Sequence, residues 1–268
     1  IMPGTRRSRP CRSLLRVPSA RKSLRARIST LINFNISQWR AWAPGIQTAG
    51  DWKQWTQGAN IVDGAEQAPD VSFLPAMQRR RLSRLARMAF AVGWPLADGL
   101  QQLPLVFVSR HGETPRTFDI LGDLANGEPL SPTQFSLSVH NAVIGLWSIL
   151  RGEQSEMSAI AAAADGFEQG VLEAAGLLHD GAPAVLLIIA EESPPEAYRP
   201  WIDDVPFAYA VGLLLTPGDD WSLSLALPQS DTSVSEPHAL SWLRNLLNDQ
   251  TVFHHSLKGR TWNWQRKA

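Results

Sequence analysis

Val108-Ser109-Arg110-His111-Gly112-Glu113-Thr114 is the stretch whose residue types most directly suggest chemistry. It sets an imidazole beside a guanidinium at the end of a short apolar run, Leu105 to Ser109. An imidazole so placed can attack phosphorus, provided that neighbouring arginines neutralise the phosphoryl oxygens as charge builds on them. The alternative is a structural turn in which Arg110 and His111 bind backbone groups or carboxylates. A second cluster, Arg79, Arg80, Arg81, Arg84 and Arg87, is the strongest concentration of positive charge after the amino-terminal stretch. It is either a solvated helix face or a landing site that steers an acidic partner into encounter. His254 and His255 are adjacent in a strand-like segment, where neighbouring side chains point to opposite sides, so they do not read as a metal pair.

The elements that must position these groups alternate between two periods. Leu31 to Ile36 has the two-residue period of a strand, followed by a Trp-rich loop through Trp39, Trp42 and Pro44. Within Met77 to Trp94 the apolar residues Leu82, Leu85, Ala86, Ala89 and Val92 recur every three or four positions, one buried helical stripe. Leu105 to Ser109 and Ala184 to Ala190 are buried strands, the second a continuous aliphatic run bounded by Gly-Ala-Pro and Glu-Glu-Ser-Pro-Pro. Helices are expected over Thr114 to Ala125, from Ser131-Pro132, over Asn141 to Leu150, and from Asp165 to Gly181 with Phe167, Val171, Ala174, Ala175 and Leu178 on one side. Met157 to Ala161 is short enough for a strand. Phe207 to Leu215 and Trp221 to Leu227 suggest a hairpin about Pro217-Gly218, Pro237 to Asn248 an amphipathic helix, and the last residues two short strands. Strands alternating with helices predict an α/β fold, a mixed sheet with helices on both faces.

Composition narrows the function classes. The 268 residues are 44% hydrophobic and 19% charged, ordinary for a globular chain that needs no disulfide or structural metal. Formal charge is zero, yet ten of the 25 basic residues and none of the acidic ones precede Asp51, leaving 15 bases against 25 acids in the remainder. Residues 1–30 read as a disordered basic extension and residues 31–268 as the folded domain. The single cysteine, Cys11, lies in that extension, which excludes disulfide frameworks, Cys-rich zinc sites and catalytic thiols from the folded part. Apolar runs are far shorter than a membrane span, and no signal-type segment follows the basic stretch, so a cytoplasmic protein without a membrane span is expected. Eleven Trp residues without a basic groove do not suggest nucleic-acid binding, and neither a cofactor nor a metal is expected.

Two resemblances follow from the motifs. Val108 to Thr114 resembles the signature of the histidine phosphatase family. That family carries an Asn where Thr117 stands here, and this chain offers only His179-Asp180-Gly181 as an echo of a second catalytic histidine. A phosphohydrolase using Arg110 and His111 is therefore the alternative reading. The fuller resemblance begins at Leu130-Ser131-Pro132-Thr133-Gln134-Phe135, continues through Val139-His140-Asn141-Ala142 to Ile149, and ends in Ala162-Ala163-Ala164-Asp165-Gly166. It is similar to the approach to the nucleophile in β-ketoacyl synthases, where a Thr-Ala-Cys elbow opens a helix. Phe73 to Ser83, Ser109 to Glu113 and the closing Trp262-Asn263-Trp264 extend the likeness to a compact ketosynthase-like family, found as chain-length-factor-type subunits in aryl polyene and related type II polyketide systems.

The resemblance implies the amino-terminal half of a thiolase-like fold, with Ala164 in the place of the acyl-carrying cysteine. Condensation needs a thiolate at a helix amino terminus, and alanine can carry no acyl group. Asp165 would oppose a thiolate, and about forty residues after Leu227 are too few for the second half. The chain is thus expected to be non-catalytic alone, to pair with an active β-ketoacyl synthase subunit as a heterodimer, and to meet an acyl carrier protein. Met157 to Ala161 and the Asn141 to Leu150 helix are expected near that interface, covering surface that a half-fold leaves exposed. Phe135, His140, Asn141, Ala164, Asp165 and Phe167 are the candidate interface and acyl-tunnel residues, and Arg80, Arg84 and Arg87 the candidate carrier-protein contacts.

Overall fold

The structure is a computed structural model that describes residues 31–58, 67–227, 236–257 and 259–267. Residues 1–30, for which a disordered extension was expected, lie outside the described residues. The elements run β1 (Leu31–Trp42), α1 (Ala49–Thr56), α2 (Ala76–Arg79), α3 (Arg84–Leu96), β2 (Leu105–Val108), α4 (Thr114–Ala125), α5 (Pro132–Ser136), α6 (Ala142–Arg151), β3 (Met157–Ile160), α7 (Gly166–His179), β4 (Val185–Glu191), β5 (Tyr209–Ala226), α8 (His238–Leu247), β6 (Val252–Leu257) and β7 (Arg260–Arg266). The seven strands among the described residues form one mixed sheet in the order β3-β2-β4-β5-β7-β6, with β1 paired to β5. β2 lies parallel between β3 and β4, and the remaining pairings are antiparallel.

Alternation along the strands divides the core in two. Val106, Val108, Leu187 and Ile189 face a layer made by α1, α7 and α8; Leu105, Phe107, Leu186 and Ile188 face α3 and α6. The first layer holds much of the aromatic content: Trp221, Trp242, Trp262 and Trp264 pack with Phe34, Phe167 and Phe253. The indole of Trp264 lies between two parallel rings, Phe167 at 5.2 Å and Phe253 at 6.0 Å. Such pairs add about 0.5–1.5 kcal/mol each beyond the area they bury. The carboxy-terminal elements α8, β6 and β7 thus close the sheet face that α7 shares, and both faces are covered by helices within this chain. α7 reaches the sheet closely because Gly170 has no side chain: a Cβ there would stand 2.6 Å from Val108 and 2.8 Å from Leu187.

Two local expectations are corrected. The segment from Trp39 to Trp42 is strand, not loop, since it pairs with Leu213 to Ala210 of β5. The expected hairpin about Pro217-Gly218 is a single strand that runs straight on, pairing with β4 over its first half and with β7 over its second. Proline and glycine mark a bulge here rather than a reversal, because β1 pairs with Thr216 and then, one residue earlier in its own sequence, with Trp221. Asn35 fills the bulge, its Oδ1 accepting from the Asp220 amide at 2.9 Å. A side chain at Gly218 would collide with that amide group.

Candidate functional site

The site is built at the carboxyl ends of the parallel strands, where the β3–α7 loop turns into a helix. Asp165 is the N-cap residue of α7, and the half-buried Ala164 precedes it. Two acids in the first turn of α7, Asp165 and Glu168, turn toward β7, where alternation puts Arg260, Trp262 and Trp264 on one face. Arg260 grips the Asp165 carboxylate with two hydrogen bonds of 2.7 Å, and the Trp262 indole donates to it at 3.0 Å. Trp264 donates to Glu168 at 3.2 Å. Helix spacing of three on one element meets strand spacing of two on the other, and this fixes the elbow against the sheet. Burial alone would raise the Asp165 pKa, but hydrogen bonds from Arg260, Trp262 and Gln169 leave it below its ordinary value. Its charge is spent on Arg260 rather than directed at position 164, which corrects the expectation of an acid opposing chemistry at the elbow.

Beneath the elbow lies a fully buried cluster that sequence reasoning missed. Glu168 accepts from His238 Nδ1 at 2.7 Å and from His255 Nδ1 at 2.5 Å, and the two imidazoles stack at 4.4 Å. His255 Nε2 meets Ser241 Oγ at 3.1 Å. Burial pushes the Glu168 pKa up, yet the two histidine hydrogen bonds, and then their charge, hold it at about 2. Burial likewise lowers the His255 pKa against the pull of Glu168. The three residues are of metal-ligating type. Two ligands of a tetrahedral zinc at 2.0–2.1 Å lie about 3.3 Å apart, however, so separations of 2.7 and 2.5 Å are those of shared protons. His254 is exposed and His255 buried, the alternation expected of them. The signal available in the sequence was an acid on the apolar side of an amphipathic helix, a position that demands partners.

A cavity of about 320 Å³ adjoins the elbow, with Ala164, Phe167, Val108, Ile189, Glu191 and His238 in its wall. Glu191 ends β4 and accepts from the backbone of Arg110 and His111 and from Ser109 Oγ at 3.2 Å. Burial raises its pKa to about 7. Because the folded value stands above the unfolded value of 4.5, the stability this group contributes is complete below pH 4.5 and is lost as pH rises through about 7. Glu191→Gln sets an amide NH2 against one of the donors that Glu191 accepts from and is expected to be less stable than the parent at pH 5, but its stability relative to the parent should rise by about 1–3 kcal/mol between pH 5 and pH 8, because it does not titrate. Urea denaturation at the two pH values measures the difference.

The Ser109-to-Glu113 turn is structural. Asp204 binds Arg110 at 2.6 Å and His111 Nε2 at 2.9 Å, and Glu191 takes the backbone donors. The groups a phosphoryl would need are already engaged by carboxylates, which removes the basis for a phosphohydrolase. Of the tunnel candidates, Ala164 and Phe167 share the cavity, whereas His140 packs on Phe107, on the opposite face of β2, and bonds the Ser109 carbonyl at 2.7 Å. Phe135 is 63% exposed on α5, and Asn141 is the exposed N-cap residue of α6. The arginine cluster divides. Arg87 bonds the carbonyls of Arg79 and Leu82, and Arg84, half-buried, reaches the Gln67 carbonyl at 3.4 Å, while Arg80 and Arg81 are exposed.

Two layers of helices on one mixed sheet, with an elbow opening α7 beside its parallel strands, define a thiolase-like ketosynthase fold. The chain belongs to the β-ketoacyl synthase family, residues 52–265 matching the family described as "Beta-ketoacyl synthase, N-terminal domain". It is similar to a chain of the ketosynthase ApeO in complex with its chain length factor ApeC from Xenorhabdus doucetiae, with 33% identity over 88% of this chain and 100% of that chain and a TM-score of 0.78. The fold also matches a chain of AntDE:AntF, a type II polyketide synthase acyl-carrier protein in complex with its ketosynthase, at a TM-score of 0.60 and 11% identity, over 90% of this chain and 100% of that one. A β-ketoacyl synthase from Burkholderia phymatum gives a TM-score of 0.55 at 11% identity, over 82% of this chain and 71% of that one. No curated protein matches the sequence.

Proposed function

We propose that this chain is a non-catalytic, chain-length-factor-type subunit that pairs with an active β-ketoacyl synthase, in elongation of the aryl polyene or related type II polyketide kind. The observation that supports this reading is Ala164, which precedes the N-cap residue of α7 and lines the adjoining cavity; the sequence motif sets it in the place of the family's cysteine, and a methyl group there can hold no acyl chain. The likeness to a chain of a ketosynthase and chain-length-factor complex supports it.

Pairing also accounts for apolar surface that the fold leaves uncovered. α4 buries none of its residues, yet Phe118, Leu121 and Leu124 lie along it at spacings of three, 37%, 48% and 58% exposed. β3 is the edge strand at one end of the sheet, and Ile149 on the neighbouring α6 is 75% exposed. An unpaired strand edge and an apolar stripe are surfaces that a partner stabilises by covering them. On this reading Phe135 on α5 is the side chain placed to reach across the interface and limit the acyl tunnel. Arg80 and Arg81 are the arginines open to an acidic carrier protein, with Arg84 and Arg87 holding the local backbone. The proposed subunit acts in the cytoplasm, and no helix among the described residues is long and apolar enough to cross a membrane. Co-expression with the cognate ketosynthase followed by sizing tests the reading: a heterodimer is expected, and a chain that stays monomeric beside a folded partner counts against it.

A further inference from the structure

Arg266, the last residue of β7, carries a guanidinium that the fold positions and does not satisfy. Its backbone amide donates to the Thr251 carbonyl at 2.7 Å, and its guanidinium lies over the Trp221 indole, 5.6 Å from the ring centroid. Such stacking restrains the planar fork without using its N–H donors. Those donors make no hydrogen bond among the described residues. The Asp249 carboxylate stands 3.8 Å from Nη2, beyond hydrogen-bond distance, and is 88% exposed, so the pair contributes little. The Arg266 side chain is itself 26% exposed, and its unbonded nitrogens are open to solvent.

The same side chain lines a pocket of about 420 Å³, a volume within the range of small-molecule sites. Ile36 and Trp39 of β1, Trp221 of β5, and Trp242 and Leu246 of α8 form its apolar wall. Ile36, Trp39 and Leu246 are half-buried, so the wall presents surface to a solute. The rim is held in place on both sides of Asp220, whose carbonyl accepts from the Lys267 amide at 2.8 Å and whose amide donates to Asn35 at 2.9 Å. The Lys267 ammonium is already engaged by Asp219. What the pocket leaves unmet is a planar pair of donors beside apolar walls. A carboxylate matches that fork, accepting two parallel N–H bonds, where an alcohol would accept one and an ammonium group none.

We propose that this pocket binds a small monocarboxylate with an apolar body, its carboxylate gripped by Arg266 and its body lying against Ile36, Trp39 and Leu246. The pocket is formed by β1, β5, α8 and β7, none of which carries the proposed ketosynthase contacts, so the site stands whether or not that pairing does.

Titration calorimetry of the full chain at pH 7, with benzoate, benzyl alcohol and inorganic phosphate as probes, tests it. Benzoate is expected to bind at millimolar concentration or below, benzyl alcohol at least tenfold more weakly, and phosphate, which has charge and no apolar body, not at all. Arg266→Gln should lose benzoate affinity at least tenfold, with the unfolding midpoint confirming that the variant is folded. Arg266→Lys keeps a positive charge over Trp221 and removes the planar fork, and should lose affinity several-fold. Asp249→Asn removes the competing carboxylate at a residue whose φ of 55° asparagine accepts readily, and should raise affinity by up to about fivefold. No benzoate binding up to about 10 mM, phosphate or benzyl alcohol binding as tightly as benzoate, unchanged affinity in a folded Arg266→Gln or Arg266→Lys, or weaker binding by Asp249→Asn would each overturn the proposal.

Discussion

Glu168→Ala is expected to lower the melting temperature by roughly 6–20 °C, the largest effect of any single change at the site. The substitution strips the shared acceptor from His238, His255 and Trp264 at once, in a region from which water is excluded. Removing one partner of a buried charged network costs about 3–5 kcal/mol, because the groups left behind cannot be resolvated. Thermal unfolding followed by circular dichroism measures the change. A shift of only a degree or two would show that the cluster carries no such weight.

The same cluster sets the acid limb of stability. Glu168 has a folded pKa of about 2 against an ordinary value of 4.5, so the stability it contributes is complete above pH 4.5 and is lost as pH falls toward 2. The displacement corresponds to about 3 kcal/mol. His255, whose pKa burial depresses, adds a loss that begins as pH falls below 6.5, where the unfolded chain takes up the proton first. In Glu168→Ala the steep loss below pH 4.5 should disappear.

Leu121→Asp combined with Leu124→Asp is expected to leave the isolated chain folded and to weaken its pairing with a ketosynthase at least 100-fold. Both side chains are about half exposed, so their replacement removes little from the core. At an interface the same two positions would bury unpaired carboxylates against an apolar surface, and each such charge costs roughly several kcal/mol to desolvate. Sedimentation of the mixed subunits measures the affinity, and the unfolding midpoint of the variant alone confirms that the fold is intact. Unaltered affinity would move the interface away from α4.

What could be read from the sequence followed from period and composition. The continuous aliphatic run that became β4, the cap Ser131, the start of a helix at Asp165 and the apolar stripe of α3 were legible because local propensity and burial agree there. β5 was misread as a hairpin because Pro217-Gly218 looks the same in a turn and in a bulge. Only the tertiary partner, Asn35, distinguishes the two. Trp39 to Trp42 was hidden for a related reason: tryptophans in a strand and in a loop have the same composition, and β5 decides between them. At the site, Ala164 and Phe167 could be placed from the motif that leads to them. The Glu168, His238 and His255 cluster could not, since it joins one helix position to residues 70 and 87 places away. Asp165 was visible as the start of a helix, but its side chain makes no capping bond, and the arginine and tryptophan that take its charge come from the last strand.

Native mass spectrometry of this chain co-expressed with its ketosynthase, after loading from an acylated carrier protein, addresses the central claim most directly. One spectrum followed by subunit dissociation reports both stoichiometry and the chain that holds the acyl mass. A one-to-one complex whose adduct travels wholly with the partner is the predicted result. An acyl mass on this polypeptide would contradict it.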